Sequence, residues 1–468
     1  MQLWQPTHSF TLLSCLAVVL VDPTYGQPPS IQGPGSIVSE SSDFELLQDT
    51  GNTPKSNGEA TGSADSGSDV KPPLDEPLQP AGLTLEQLQS LALQHNPSMC
   101  SAAALIQAAR GRAYQVGLQA NPSVGIDFQQ LASGGRAEQY GISLGQKIIR
   151  SEKRNLNRSI ELHEVQRLEQ EYLKVRRRVL TDVNLAYIRT LRAQRQIDVT
   201  RELLEIDEQA LTIAQQLFAA MEVARTDVLR AEVEVENAQV ALRDAELRHI
   251  AAWRELQAVT GQPGLPSAAL AGDLFAAPQS VDFDSVLAIL QTQSPEMAAL
   301  EAAIERARCN LRRQQIEPLP DVQIDGLLNW RDNGINGDAD AGLAVSVPLP
   351  VWDKNRGAIQ EARYQLTAAN EDMQRLRFAF GSRLAPVFER FNSAKQRVES
   401  YRDRIMPKAE ETIKLVRKTY EMGEVNFDSL LQTQRTYTQI RLAYIDALEQ
   451  LRVAEAEIDG LLLSGSLN

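Results

Sequence analysis

A mainly α fold with a small β part, built twice over by internal duplication, is what this 468-residue sequence predicts. Three observations carry that expectation: segments near Leu83 recur in the same order near Val281, two short stretches in each copy alternate apolar with small or polar residues, and the tract from Ser151 to Phe218 contains neither proline nor glycine. Abundant Ala, Leu, Glu, Gln and Arg with few aromatics is the composition of long helices.

The duplication sets the order of elements. "LTLEQLQSLALQHNPSM" (Leu83 to Met99) pairs with "VDFDSVLAILQTQSPEM" (Val281 to Met297), which places Pro97 on Pro295 and Met99 on Met297. At the same offset Arg110 falls on Arg308, Pro122 on Pro320 and "VGID" on "VQID". "GISLGQKIIRSEKR" (Gly141 to Arg154) then meets "GLAVSVPLPVWDKN" (Gly342 to Asn355), and "MEVARTDVL" (Met221 to Leu229) meets "GEVNFDSLL" (Gly423 to Leu431). Each unit reads as short helix, longer helix, strand, turn, strand, very long helix, break and long helix. The first unit spans 81–262, with a strand hairpin over 123–148 and a helical hairpin over 151–262. After a linker over 263–280, the second spans 281–463, with a strand hairpin over 321–349 and a helical hairpin over 353–463, and a tail follows over 464–468.

Ahead of the repeats, "SFTLLSCLAVVLV" reads as the apolar core of a signal peptide over 1–26, although no Lys or Arg precedes it and Cys15 leaves lipidation open. The Ser-, Gly-, Pro- and acid-rich stretch over 27–80 has too little periodic apolar content to order itself. Beyond the signal no apolar run reaches the roughly 18 to 20 residues of a membrane helix, so any crossing must be made by strands. A formal charge of −14 with no basic stripe argues against nucleic acid as a partner.

The strands are next. Val124, Ile126 and Phe128 share one face of the first, opposite Gly125, Asp127 and Gln129; Tyr140, Ile142 and Leu144 share one face of the second, opposite Gly141, Ser143 and Gly145. In the second unit Val322, Ile324, Leu328 and Trp330 answer Leu343, Val345, Val347 and Leu349. Such alternation suits a strand with lipid outside and water inside, and equally a half-buried soluble hairpin. The helices favour the first. Unbroken from Ser151 to Phe218, one helix would run about 100 Å, with apolar positions at Leu180, Val183, Tyr187 and Leu191 and then at sevens through Leu204, Leu211 and Phe218. Leu430, Tyr437, Tyr444, Leu451 and Ile458 also fall at sevens, as do Val228, Val235, Leu242, His249 and Leu256, which is the seam of an antiparallel coiled coil. His249 therefore reads as a partly solvated seam residue before a proton switch, and Cys100 and Cys309 as two buried thiols before a disulfide. No two histidines stand at metal-ligand spacing, and no cofactor is implied.

"SVPLPVWDKNRG" (Ser346 to Gly357) joins strand to helix. Pro348 and Pro350 remove two donors where pairing ends, and Asp353 is expected near the helix N-terminus, where unpaired amides favour a carboxylate.

With these motifs assembled, the chain from about Leu83 to Leu463 resembles the TolC-type outer membrane efflux proteins. The junction, with its Pro-Leu-Pro and Asn-Arg-Gly, is most similar to the heavy-metal, CzcC-like branch. The resemblance implies a homotrimer in the outer membrane, each chain giving four strands to a shared β-barrel continuous with a long antiparallel coiled-coil α-helical barrel in the periplasm. It implies an adaptor (membrane fusion) protein and an inner-membrane pump as partners, with adaptor contact at Met221, Glu222 and Val223 and at Gly423, Glu424 and Val425. The glycine common at the first break is absent, and Ala220 and Met221 stand there. Three copies of Glu421, Glu424 and Asp428 would form carboxylate rings at the channel entrance, against the plainer reading of a solvated helix surface. Nothing resembles a phosphate-binding loop or a nucleophile with its base. The expected activity is a passive exit duct for small molecules or metal cations, and the rival is a periplasmic coiled-coil scaffold or membrane-fusion adaptor.

Overall fold

The computed structural model describes residues 82–131, 137–277, 280–330 and 339–467. The signal and leader over 1–80 and the two hairpin turns lie outside them.

The first unit begins with α1 (Leu85–His95) and α2 (Pro97–Gln115), and the second with α5 (Phe283–Gln293) and α6 (Pro295–Ile316). The matching "NPSM" and "SPEM" motifs are the corners between these helices. Asn96 and Ser294 cap α2 and α6 through side-chain oxygens that accept from Ser98 N and Glu296 N, with proline as the first helical residue in both. Met99 and Met297 are buried beneath the corners. Asn96 Nδ2 also donates to Val259 O at 2.9 Å, fastening the first corner to the far end of its own repeat.

β1 (Ser123–Leu131), β2 (Ala137–Ile148), β3 (Val322–Asn329) and β4 (Asp340–Ser346) form one antiparallel sheet in that order. Register pairs Ile126 with Ile142 and Ile142 with Leu328, and in the next apolar row Leu144 with Gly326 and Gly326 with Leu343. One face is therefore apolar across four strands from two repeats. Val124 and Leu343, 73% and 77% exposed, have nothing over them. The other face carries Asp127, Gly141, Ser143, Gly145, Asp325 and Ala344. β4 ends at Ser346, so Val347 and Leu349 lie beyond the strand that was expected to hold them.

The helical hairpins follow the strands closely. α3 (Ser151–Ala219) is one continuous helix of 69 residues, and α4 (Arg225–Thr260) returns beside it. In the second unit α7 (Arg356–Ser400) passes through one π-helical turn, Tyr401–Ile405, into α8 (Met406–Glu421), and α9 (Phe427–Asp459) returns. Unlike α3, this limb contains Pro386, with Pro407 just after the π-turn. α3 also packs against α6 and α9, so the two repeats interlock.

The buried seam departs from the expected one in places. Val183, Tyr187, Leu191, Leu256, Leu430, Leu451 and Ile458 are buried as read. In α3, however, Val179 replaces Leu180, and Leu203, Ala210 and Ala214 are buried while Phe218 is 43% exposed. Alanines let the helices approach closely, and a helix of 3.6 residues per turn drifts off a strict seven-residue spacing. His249 is half-buried, 6.3 Å from the Trp253 ring, and burial lowers its pKa. The thiols are a correction: both are free, and Cys100 is exposed while Cys309 is only partly covered, because each sits on an outward flank of its helix.

Candidate functional site

Two places join the sheet and the hairpins to whatever lies above and below. The upper is the strand-to-helix junction. Pro348 and Pro350 follow the last residue of β4 and line a cavity of about 520 Å³ with Pro318, Pro320, Asp353 and Asn355. Asp353 is not on the first turn of α7. Its Oδ1 accepts from Asn355 N at 2.9 Å, making a turn ahead of the helix, while Asn355 takes a left-handed φ of 56° and donates through Nδ2 to Gln314 O of α6. The helix begins at Arg356 rather than 353 because that turn uses up the intervening residues.

The junction also holds a charge cluster that the sequence pattern did not single out. Lys153, almost wholly buried, lies 3.4 Å from Asp321 and 3.8 Å from Glu317, and Asp321 also faces Lys147 at 3.8 Å and accepts from Arg150 N. One carboxylate just ahead of β3 thereby ties down the chain that leaves β2. A buried cation between two carboxylates from the other repeat resists being pulled apart, since separation strands charge in a poor solvent. The available signal was an aspartate after Pro320 and a lysine at the start of the longest helix, but nothing in either local pattern pairs them.

At the opposite end are the two hairpin tips, which close alike. Glu222 N donates to Leu217 O and Met221 N to Phe218 O; Glu424 N donates to Thr419 O and Gly423 N to Tyr420 O. These are matching helix-terminating turns whose pivot residue takes left-handed backbone: Gly423 at φ 72° and Met221 at φ 60°. Met221 thus stands in glycine's place and bears its steric cost, with its side chain 94% exposed. Val223 and Val425 are half-buried, and Glu222 and Glu424 exposed. Beneath the tips, Ala210, Ala214, Val228, Ala231, Tyr420, Phe427 and Leu430 form one core from four helices.

The three candidate ring carboxylates lie close together in the chain but differ in surroundings. Asp428 Oδ1 accepts from Arg230 Nη1 at 2.7 Å, so its charge is countered by α4 of the same chain. Glu421 and Glu424 are exposed and have no ion-pair partner among the described residues. Arg435 with Glu234 and Arg417 with Gln209 continue the ties between hairpins above the tips. Among the described residues no group of three or more His, Cys, Asp or Glu side chains is arranged to hold a metal ion, and no helix is long and apolar enough to cross a membrane.

A sheet apolar on one face and polar on the other, extended by helical hairpins far longer than globular helices, defines a membrane-channel protein. The outer membrane efflux protein family matches residues 88–262 and 286–462, one segment in each repeat, and the chain belongs to that family. It is similar to the cobalt-zinc-cadmium resistance protein CzcC of Cupriavidus metallidurans, at 24% identity over 86% of this chain and 95% of that one. The alkaline protease secretion protein AprF of Pseudomonas aeruginosa is 24% identical over 60% of this chain and 62% of its own length. Among solved structures, CusC superposes with a TM-score of 0.68 at 14% identity, covering 85% of this chain and all of that one. The open-state MtrE channel of Neisseria gonorrhoeae gives 0.67 at 18%, covering 81% and 89%. The protein is thus an outer membrane efflux channel component with a periplasmic helical part, and the scaffold or adaptor reading has no support from these likenesses.

Proposed function

We propose that three copies assemble into a passive exit duct of a tripartite efflux system, conducting metal cations from the periplasm to the exterior. One observation carries the proposal: a four-stranded sheet with open edges at β1 and β4 and an uncovered apolar face, joined to α3 through only Ile149 and Arg150. Four strands cannot enclose a pore, whereas three copies of four strands make a twelve-stranded barrel with no free edge. The apolar face then meets lipid, and Asp127, Asp325 and the glycines line water. No chemistry is asked of the chain; energy comes from an inner-membrane pump. The adaptor meets the tips at Met221, Glu222, Val223, Gly423, Glu424 and Val425, where the backbone turns leave Met221, Glu222 and Glu424 exposed. Glu421 and Glu424 attract cations at the entrance, and Asp428 serves instead in the clamp to Arg230.

The metal reading leans on CzcC, whose name gives resistance to cobalt, zinc and cadmium, and on the acidic side chains of the lumen face. A deletion strain should become sensitive to those cations and recover with the wild-type gene. Unchanged tolerance to all three, with a gain in sensitivity to dyes, would replace metal cations with organic cargo.

A further inference from the structure

Where α3, α4 and α9 run side by side they leave a cavity of about 390 Å³ beside the Arg435–Glu234 tie. Its walls are aliphatic at Leu203, Leu431 and Leu442, and Ala238 and Ala241 of α4 make the room. Two polar side chains enter it with nothing to bind. Gln434, on the cavity wall, is only 7% exposed and has no hydrogen-bond partner among the described residues. Asp207 likewise has neither a hydrogen bond nor an ion pair there. Burial, and then the nearby Glu234 carboxylate, push Asp207 up to about 7. The other charged groups that face the cavity do not relieve it: Arg435 is held by Glu234, and Asp244 and Arg248 lie further along α4.

A glutamine only 7% exposed and a half-buried carboxylate, neither with a partner among the described residues, would both gain hydrogen bonds if a donor cation entered. The volume far exceeds a bare metal ion, and one free carboxylate with one amide is too small a donor set for it. An anion would face Asp207 and Glu234. We propose that the cavity binds a primary alkylammonium ion. The ammonium donates to the Asp207 carboxylate and the Gln434 amide oxygen, and the alkyl chain lies against Leu203, Ala238, Ala241 and Leu442. The cavity is formed within one chain, so it exists whatever cargo the duct carries. Because the ammonium stays charged below pH ~10, entry displaces the Asp207 proton at low pH and meets an ionised carboxylate at high pH. Binding therefore tightens from pH 6 to pH 8 and levels off above.

The test is a saturation-transfer NMR titration of the full-length protein in detergent with n-pentylamine, and with 1-pentanol as the uncharged counterpart. Saturable binding of the amine, roughly tenfold tighter at pH 8 than at pH 6 as a group titrating near 7 becomes ionised, is expected. D207N should weaken it at least about tenfold and remove the pH dependence. A238L, which fills the space without changing charge, should abolish binding, and Q434L should weaken it while leaving the pH dependence in place. No saturable binding at either pH, undiminished binding to a folded D207N, or equal binding of 1-pentanol would each overturn the assignment, the last by showing a merely apolar cavity.

Discussion

The two repeats share one plan yet solve their ends differently. At the tips, the second repeat turns on Gly423 and caps α9 with Asn426, whose side chain accepts from Ser429 N, whereas the first turns on Met221 and has Ala224 at the N-cap of α4, with no side-chain cap. At the junctions, Lys153 of the first repeat is buried against Asp321, whereas its counterpart Lys354 is exposed. Along the limbs, α3 is unbroken, whereas the second limb contains two prolines and a π-turn. What the halves keep in common is the apolar sheet face, the helix corners and the turn geometry. Lipid and close packing constrain both copies equally; a helix cap, worth about 1 kcal/mol, and a junction ion pair, costly to break only where it is buried as at Lys153, are kept in one copy and lost in the other.

The sharpest break in that comparison lies at the junction. Asp321→Ala leaves Lys153 buried without its nearest counter-charge and should cost about 3–5 kcal/mol, whereas Lys354→Ala in the other repeat should stay within about 0.5 kcal/mol. Thermal unfolding in detergent separates them. Next, Ile126→Arg and Ile324→Arg occupy matching lipid-facing positions, and each should cost about 2–4 kcal/mol near mid-membrane. Gel mobility without boiling should show the compact oligomer lost in both, and loss in one alone would break the equivalence of the repeats.

Asp207 has Ala409 as its counterpart, so only one repeat carries its titration. The folded state holds that proton up to pH about 7 while the unfolded chain releases it near 3.8. The group's contribution to stability is therefore greatest below about pH 4 and declines as pH rises through 7. D207N should be more stable than the wild type at pH 8 by roughly 1–2 kcal/mol, allowing for partial solvent screening, and equal to it at pH 4. The smallest effects are at the tips: Met221→Gly should stabilise and Gly423→Ala destabilise by about 1 kcal/mol each, read as opposite shifts in melting temperature.

Legibility in the sequence followed periodicity. α3 was readable because its 69 residues lack a breaker, the strands because their alternation is period two, and the corners because Asn96-Pro97 and Ser294-Pro295 repeat a cap-then-proline signal. Contacts between distant segments left no such trace. Lys153 with Asp321 and Arg230 with Asp428 join residues far apart in the chain, and charge at those positions reads the same whether paired or solvated. The Asp207 cavity was invisible for the same reason, since it depends on alanines of α4 facing a glutamine of α9. The seam was slightly misplaced because Ala210 and Ala214, not the larger Leu211 and Phe218, are the buried residues there.

Lipid covers one face of the sheet and water the other, an arrangement that adjacent residues of β4 test directly. In a cysteine-free background reconstituted in liposomes, nitroxides placed singly at Leu343 and Ala344 are read by relaxation with oxygen and with a water-soluble nickel chelate. The expected result is a Leu343 label reached by oxygen and shielded from nickel, with the reverse at Ala344. Equal access of nickel to both would contradict the barrel.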